Sequence, residues 1–300
     1  MGSVIRIGSR KSKLAVAQAE YVCREIERIC PDMKTELITM ETTGDRILGK
    51  SLEAIGGKGL FVKELDQALM EHRIDLAVHS LKDMPMEESE EFPILAYSKR
   101  EDPRDVLVYK PGQKGLPQNP VIGTSSKRRK IQTGKLFPDA TFCPIRGNVQ
   151  TRMKKLAEED YDGTILAAAG IRRLHMESVI GRILEPEEML PAAGQGILAV
   201  QGRKGEAYPF LTELNCIESQ MAAEAERAFV RTLGGGCTSP VAAYAVIEEN
   251  QIYVRGLYWE EDRNDFFTGE VRGDKKDAAL LGRQLANSMR DRAMREAGKE

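Results

Sequence analysis

"IRIGSRKSKL" (residues 5–14) is echoed by "VIGTSSKRRK" (residues 121–130). Each begins as a β-branched strand, turns at a glycine with hydroxyl side chains beside it, and opens a basic helix. A strand-to-helix turn written twice implies two α/β units built to one plan. Outward from the first copy, "SKLAVAQAEYVCREIERIC" (12–30) spaces its apolar residues as a helix and "KTELITM" (34–40) reads as a strand. "GLFVKELDQALMEHR" (59–73) is a helix, and "DLAVHS" (75–80) and "FPILAYS" (92–98) are strands. "KREDPRD" (99–105) breaks the periodicity with charge and proline, so the chain is expected to cross between lobes there.

Outward from the second copy the alternation repeats through "ATFCPI", "NVQTRMKKLAEE", "GTILAAA" and "GIRRLHM". After "LPAAGQG" (190–196), the strand "ILAVQ" and a short helix return to the first unit. From residue 216 a long helix leads to "LGGGCTSPVAAY" (233–244), then three strands and a closing helix. Consecutive strands with short turns predict a small antiparallel sheet with helices on one face. The expected domains are 1–98 with 197–215 (lobe 1), 99–196 (lobe 2) and 216–300 (a C-terminal α+β domain). The two lobes should carry largely parallel sheets.

Composition narrows the function classes. With 300 residues, 41% hydrophobic and 30% charged, the chain can bury several cores and is neither fibrous nor disordered. No apolar run approaches a membrane span, and the first residues show no signal-peptide core, so a cytoplasmic protein without a membrane role is expected. The five cysteines, Cys23, Cys30, Cys143, Cys216 and Cys237, are odd in number and widely spaced, which fits reduced thiols. His72, His79 and His175 share no zinc-ligand spacing, so no metal is expected. A net charge of -2 gives little support to a nucleic-acid partner.

Charge is nonetheless concentrated at helix starts. Arg10 and Lys11 precede Ser12, a candidate N-cap; Thr124, Ser125 and Ser126 precede Arg128 and Arg129; Arg146, Gly147 and Asn148 precede Arg152; Arg172 and Arg173 follow a fourth strand. A helix N-terminus offers unpaired N–H groups and partial positive charge, and guanidiniums add bidentate donors suited to carboxylates. In an open α/β sheet such turns share one edge. Among these cations Asp83 in "DLAVHSLKDMP" is the candidate acid, base or cation stabiliser, whereas Glu224 and Glu226 read as ordinary helix charges. "GGKGLFVKEL" (56–65) reads as a mobile glycine-rich segment bearing Lys58 and Phe61. The three glycines before Cys237 place that thiol on an open loop.

Taken in order, "IRIGSRKSKLA", "GGKGLFVKEL", "DLAVHSLKDMP", "REDPRD", "IGTSSKRR", "IRGNVQTR", "LAAAGIRRL", "LPAAGQG" and "GGGCTSP" closely resemble the porphobilinogen deaminase (hydroxymethylbilane synthase) family, from residue 5 to 240. The resemblance implies two lobes similar to type II periplasmic binding proteins, plus a small third domain with a three-stranded antiparallel sheet. It implies a dipyrromethane cofactor joined to Cys237 by a thioether, with the glycines giving the pyrroles room. Four porphobilinogen molecules would condense head to tail onto that primer with loss of ammonia, and hydrolysis would release linear hydroxymethylbilane.

Residue by residue, the resemblance assigns Asp83 to pyrrole N–H binding and cation stabilisation. It assigns Arg10, Ser12, Lys82, Thr124, Ser126, Arg128, Arg129, Arg146, Gly147, Arg152 and Arg173 to holding cofactor or substrate carboxylates. Ser80 and Gln195 match cleft positions, and Lys58 and Phe61 match the family's mobile loop. A monomer acting on a small molecule is expected. The alternative is a two-lobed carboxylate-binding protein without catalysis, which leaves the glycine-cysteine loop unexplained.

Overall fold

In the computed structural model, which describes residues 4–46, 62–236, 239–260 and 265–297, the opening stretch folds as a strand and a capped helix. Strand β1 (Val4–Arg10) turns into α1 (Lys13–Ile29), and the Ser12 side chain accepts a hydrogen bond from Ala15 N at 3.2 Å. Gln18, Ala19, Val22 and Ile26 are the buried residues of α1, spaced as one helical stripe. Next come β2 (Lys34–Met40), α2 (Thr43–Arg46), α3 (Lys63–Met70), β3 (Leu76–Ser80) and β4 (Ile94–Tyr97). The middle of the chain forms β5 (Asp105–Tyr109), β6 (Val121–Gly123), α4 (Lys127–Leu136), β7 (Thr141–Cys143), α5 (Val149–Glu158), β8 (Gly163–Ala167), α6 (Ala168–Arg173) and β9 (Arg182–Leu184). It ends with β10 (Leu198–Gly202), α7 (Phe210–Leu214), α8 (Ile217–Thr232), β11 (Ala242–Glu248), β12 (Gln251–Glu260), β13 (Asp265–Asp274) and α9 (Ala278–Ala297).

The contacts group these elements into two units, Met1–Glu101 with Gly196–Gln220, and Asp102–Gln195 with Met221–Glu300. The first unit holds a five-stranded sheet in the order β2-β1-β3-β10-β4, and the second holds one in the order β7-β6-β8-β5-β9. The order is the same in both: three parallel strands, then an antiparallel strand, then the last strand. Each sheet is largely parallel, as expected, with four of its five strands running one way; the antiparallel strands are β10 and β5. Their cause lies in the register. Leu198 at the start of β10 pairs with Ser80 at the end of β3, and Asp105 at the start of β5 pairs with Ala167 at the end of β8. A segment that enters a sheet where the parallel strands end has to run back along them.

Apolar residues on the strands and helices build separate cores. In the first unit, Ile5, Ile7, Leu76, Val78 and Val200 pack with Val22 and Ile26 of α1, while Leu65, Leu69, Ile74 and Phe92 form a second cluster about α3. In the second unit, Val106, Val108, Ile145, Leu156 and Ile171 cluster together, and Leu107, Ile122, Ile165, Leu184 and Met189 form another group. Strands β5 and β9 were not expected: "KREDPRD" reads as a break, yet its last residue begins β5, and the three residues of β9 are too few for a pattern.

Strands β11, β12 and β13 form the expected antiparallel sheet. Gly256 lies against the Phe229 ring of α8, while Gly269 and Gly273 lie against Met289 and Leu281 of α9. These glycines share a face, because Gly256 pairs with Gly269 in the ladder. Both helices therefore cover one face. On the other, Ala242 and Leu257 cluster with Leu190 and the partly buried Ile131, so the sheet is also covered by α4 and the 190 loop. Glu226 corrects the reading of an ordinary helix charge. It is fully buried, and its two oxygens accept from Gly194 N and Ala245 N, each at 2.7 Å. Two five-stranded α/β sheets of one strand order plus a small antiparallel sheet agree with the two α/β lobes and the C-terminal α+β domain that the sequence implied.

Candidate functional site

In the first unit the parallel strands β1, β2 and β3 end at one sheet edge, at Arg10, Met40 and Ser80. Beyond β3 a single 3-10 turn spans Leu81–Asp83. Leu81 N donates to Ile197 O at 3.0 Å and Met84 N to Leu81 O at 3.1 Å, so the turn is tied to the segment that opens β10. Its side chains alternate in burial. Leu81 is buried, Lys82 half-buried and Asp83 exposed, which turns the carboxylate to solvent at the strand ends. Ser80 Oγ lies 2.8 Å from Gln18 Nε2 and 3.0 Å from Gln18 Oε1. Arg10, Ser12, Ser80, Lys82 and Asp83 thus gather along one edge.

Behind that edge, His79 is buried and its Nε2 lies 2.9 Å from Gln201 Oε1. Burial pulls its pKa down to about 4, against the Gln201 hydrogen bond; the charge of Arg10 also lowers it and that of Asp83 raises it. The imidazole is therefore neutral at pH 7.

In the second unit β7, β6 and β8 are neighbouring parallel strands, so the turns after them share an edge. Thr124 Oγ1 accepts from Ser126 N at 3.2 Å, and the Ser126 side chain caps α4 by accepting from Arg129 N at 3.4 Å. The next turn is built the same way: Asn148 caps α5 by accepting from Thr151 N at 2.9 Å, and Arg152 Nε donates to Gly147 O at 2.9 Å. Gly147 has φ +114° and a Cβ there would sit 2.6 Å from Thr151 Cγ2, so only glycine fits the turn. Half-buried Arg146 stands beside it. The fourth junction differs from expectation. Helix α6 begins at Ala168, which leaves Arg172 and Arg173 in its last turn rather than at its start, and Arg172 pairs with Asp102 at 2.9 Å.

Arg128 and Arg129 are only 5% and 7% exposed, which removes them from the class of solvated surface charges. Both converge on the fully buried carboxylate of Asp105. Arg128 Nη1 donates to Asp105 Oδ2 at 2.7 Å and to Leu190 O at 2.8 Å. Arg129 donates through Nε and Nη2 to Asp105 Oδ1, at 3.2 and 2.8 Å, and through Nη1 to Ile165 O at 2.8 Å. Gln195 Nε2 reaches the same oxygen at 3.1 Å and Pro103 O at 2.7 Å. The structure thus brings Arg128, Arg129 and Gln195 together around an acid that sequence reasoning missed. Its only signal was the final residue of "REDPRD", which was read as part of a crossing. A buried carboxylate shared by two guanidiniums fixes their planes and leaves the cluster with net positive charge.

This donor set of helix N–H groups, hydroxyls and guanidiniums fits a group that carries carboxylates, because the acids at this edge, Asp102 and Asp105, are already held by arginines. Lys58, Phe61 and Cys237 lie outside the described residues. The glycines before Cys237 are described, and Gly234 does more than make room: at φ +66° it ends α8, and Gly235 N returns to Val230 O at 2.9 Å as in a helix C-cap. Gly236 N donates to Ser239 Oγ and Ser239 N to Gly236 O, each at 3.1 Å, which draws together the residues flanking Cys237 and Thr238.

The family described as "Porphobilinogen deaminase, dipyromethane cofactor binding domain" matches residues 5–208, and "Porphobilinogen deaminase, C-terminal domain" matches 220–291. The porphobilinogen deaminase of Ruminiclostridium cellulolyticum is 51% identical over 285 residues, covering 95% of this chain and 97% of its own. That of Acetivibrio thermocellus is 48% identical over 285 residues, with the same coverage of 95% and 97%. Among solved structures, the BenM effector binding domain with benzoate aligns at a TM-score of 0.40 and 13% identity, covering 71% of this chain and 88% of that one, a likeness too loose to argue from.

Proposed function

The chain belongs to the porphobilinogen deaminase family, and on that premise we propose which of its side chains hold and build the growing pyrrole chain. Its reaction is the condensation of porphobilinogen into hydroxymethylbilane, its cofactor is dipyrromethane, and a binding protein without catalysis is not favoured. When bound, that cofactor supplies the free pyrrole carbon to which the first unit is joined, and each later unit would join the ring added before it.

Cys237 is the anchor in this reading, on the loop whose flanks meet at Gly236 and Ser239. Asp83 accepts hydrogen bonds from pyrrole N–H groups and stabilises the positive charge that develops as ammonia leaves, because an exposed carboxylate on a tied turn is preorganised for it. Arg10, Ser12 and Lys82 hold carboxylates in the first unit, beside Ser80. Thr124, Ser126, Arg146, Gly147, Arg152 and Arg173 do so in the second, with Arg128, Arg129 and Gln195 set in place by Asp105. Lys58 and Phe61 match the family's active-site loop in this reading. The reading is supported above all by the two neighbouring capped turns of the second unit, after β6 and β7, with guanidiniums on or beside both. We also assign residues 216–300 to a cofactor-carrying domain, with 1–98 plus 197–215 and 99–196 as the lobes, in a cytoplasmic monomer. No described helix is long and apolar enough to cross a membrane.

Intact-mass spectrometry under denaturing conditions tests the anchor. The parent, after incubation with porphobilinogen, should carry the mass of a dipyrromethane and Cys237→Ser should not. A parent that carries no such mass after the incubation, or a mutant that carries it, would overturn the assignment.

A further inference from the structure

His79 and Gln201 have no part in the division of roles above, yet they form a buried polar contact directly behind the turn that carries Asp83. The two residues are 122 positions apart in sequence, on the adjacent antiparallel strands β3 and β10. Gln201 has its amide fixed at both ends. Oε1 faces His79 Nε2 at 2.9 Å, and Nε2 donates to Phe92 O at 2.8 Å. Turning the amide over would set its oxygen against the Phe92 carbonyl, so the Phe92 contact fixes Oε1 as the end that faces His79. The amide orientation therefore dictates the tautomer: His79 carries its proton on Nε2 and leaves Nδ1 bare.

A buried polar contact carries a desolvation cost that an apolar pair in its place would avoid, so its position behind the site calls for a test of function. Here the ring is held by the fixed amide and feels the charges of Arg10 and Asp83. The ionisable groups acting on this cluster are Arg10 on β1 and Asp83 on the turn, which both act on the ring, and Asp66 on α3, whose carboxyl feels the Gln201 amide. A protonated ring in this position would compete with substrate for the negative charge of Asp83. A neutral ring, held by an amide rather than by a carboxylate, leaves that charge available.

We propose that His79 and Gln201 are positioning residues for Asp83: the amide locks the buried ring in its Nε2–H tautomer, uncharged, behind the turn that presents the carboxylate. This rests on the role given to Asp83 in the preceding section. It extends the functional site to a pair that touches no substrate and acts through the strand end.

Kinetics of the cofactor-loaded enzyme test it. His79→Leu and Gln201→Met each keep the volume and remove the hydrogen bond, and each should lower kcat about tenfold or more, because small misplacements of a reacting group are costly. KM for porphobilinogen and the covalent cofactor mass should stay as in the parent. His79→Gln, which returns an N–H donor to nearly the same point, should recover most of kcat. If the pair only fills the core, leucine will serve at least as well as glutamine, and that ordering would overturn the proposal. Should the apolar variants fail to fold, the imidazole nitrogen resonances of the parent decide: a neutral Nε2–H ring from pH 8 to pH 5 supports it. A ring protonated on Nδ1, or titrating near pH 6.5, refutes it. A parent that carries no dipyrromethane mass, before or after incubation with porphobilinogen, would instead sink the reading beneath it, whatever the variants do.

Discussion

Asp83 is exposed on a turn held by backbone hydrogen bonds, so its side chain can be changed without touching the core. Asp83→Asn should keep the melting temperature and the bound cofactor mass while slowing hydroxymethylbilane formation by about 10²-fold or more, the usual scale for losing one preorganised charge; a near-normal rate would remove it from the mechanism. His79 makes a pH prediction. Its folded pKa is lowered from 6.5 to about 4, chiefly by burial, so the unfolded chain binds the extra proton first as pH falls. Its contribution to stability is complete above pH 6.5 and is lost progressively toward pH 4, by at most about 3 kcal/mol. Urea midpoints at pH 7.5 and 5 should show that loss in the parent and less of it in His79→Gln. At Asp105 the same chemistry appears as charge balance: Asp105→Ala would leave two nearly buried guanidiniums without their carboxylate and should cost about 3–5 kcal/mol in urea unfolding. An unchanged midpoint would show that the arginines find other partners. These residues mark what sequence could convey. Asp83, Arg128 and Arg146 stand in continuous motifs, so that their candidacy can be read from sequence. That of Asp105 and Gln201 cannot, because their meaning comes from partners that only the fold brings near, 23 and 122 positions away.

Helices with side-chain caps were the most legible elements, since Ser12, Ser126 and Asn148 state the start of α1, α4 and α5 in a single residue each. Helix α6 has no such cap, and that is why its start was misplaced and Arg172 and Arg173 fell in its last turn. Strand β5 was hidden by the charges before it, and β9 by its length. The pairing of α8 with α9 could not be read at all, because it depends on what one glycine allows: a Cβ on Gly282 would collide with the Ala225 carbonyl oxygen. Gly282→Val should force these helices apart at a cost of about 1–3 kcal/mol. A thermal melt equal to the parent's would mean that α9 can shift without loss.

The repeated opening motif carried the plan of two sheets of one design, and the change of pattern after residue 216 marked a third small domain. What the motif left out was the direction of the fourth strand in each sheet. That strand has a consequence for how the protein is made. Strand β10 lies between β3 and β4 in the first sheet, yet it is the last of that sheet's strands to leave the ribosome. At about 5–20 residues per second the roughly 100 residues after β4 take on the order of 5–20 seconds to synthesise. During that interval β3 and β4 have no partner between them. The second sheet has all of its strands once β9 is made, so nascent chains halted before residue 198 should resist protease within 105–184 and be cut at β4. The two five-stranded sheets are thus completed in the reverse of the order in which they begin: the sheet that opens the chain closes after the one that follows it.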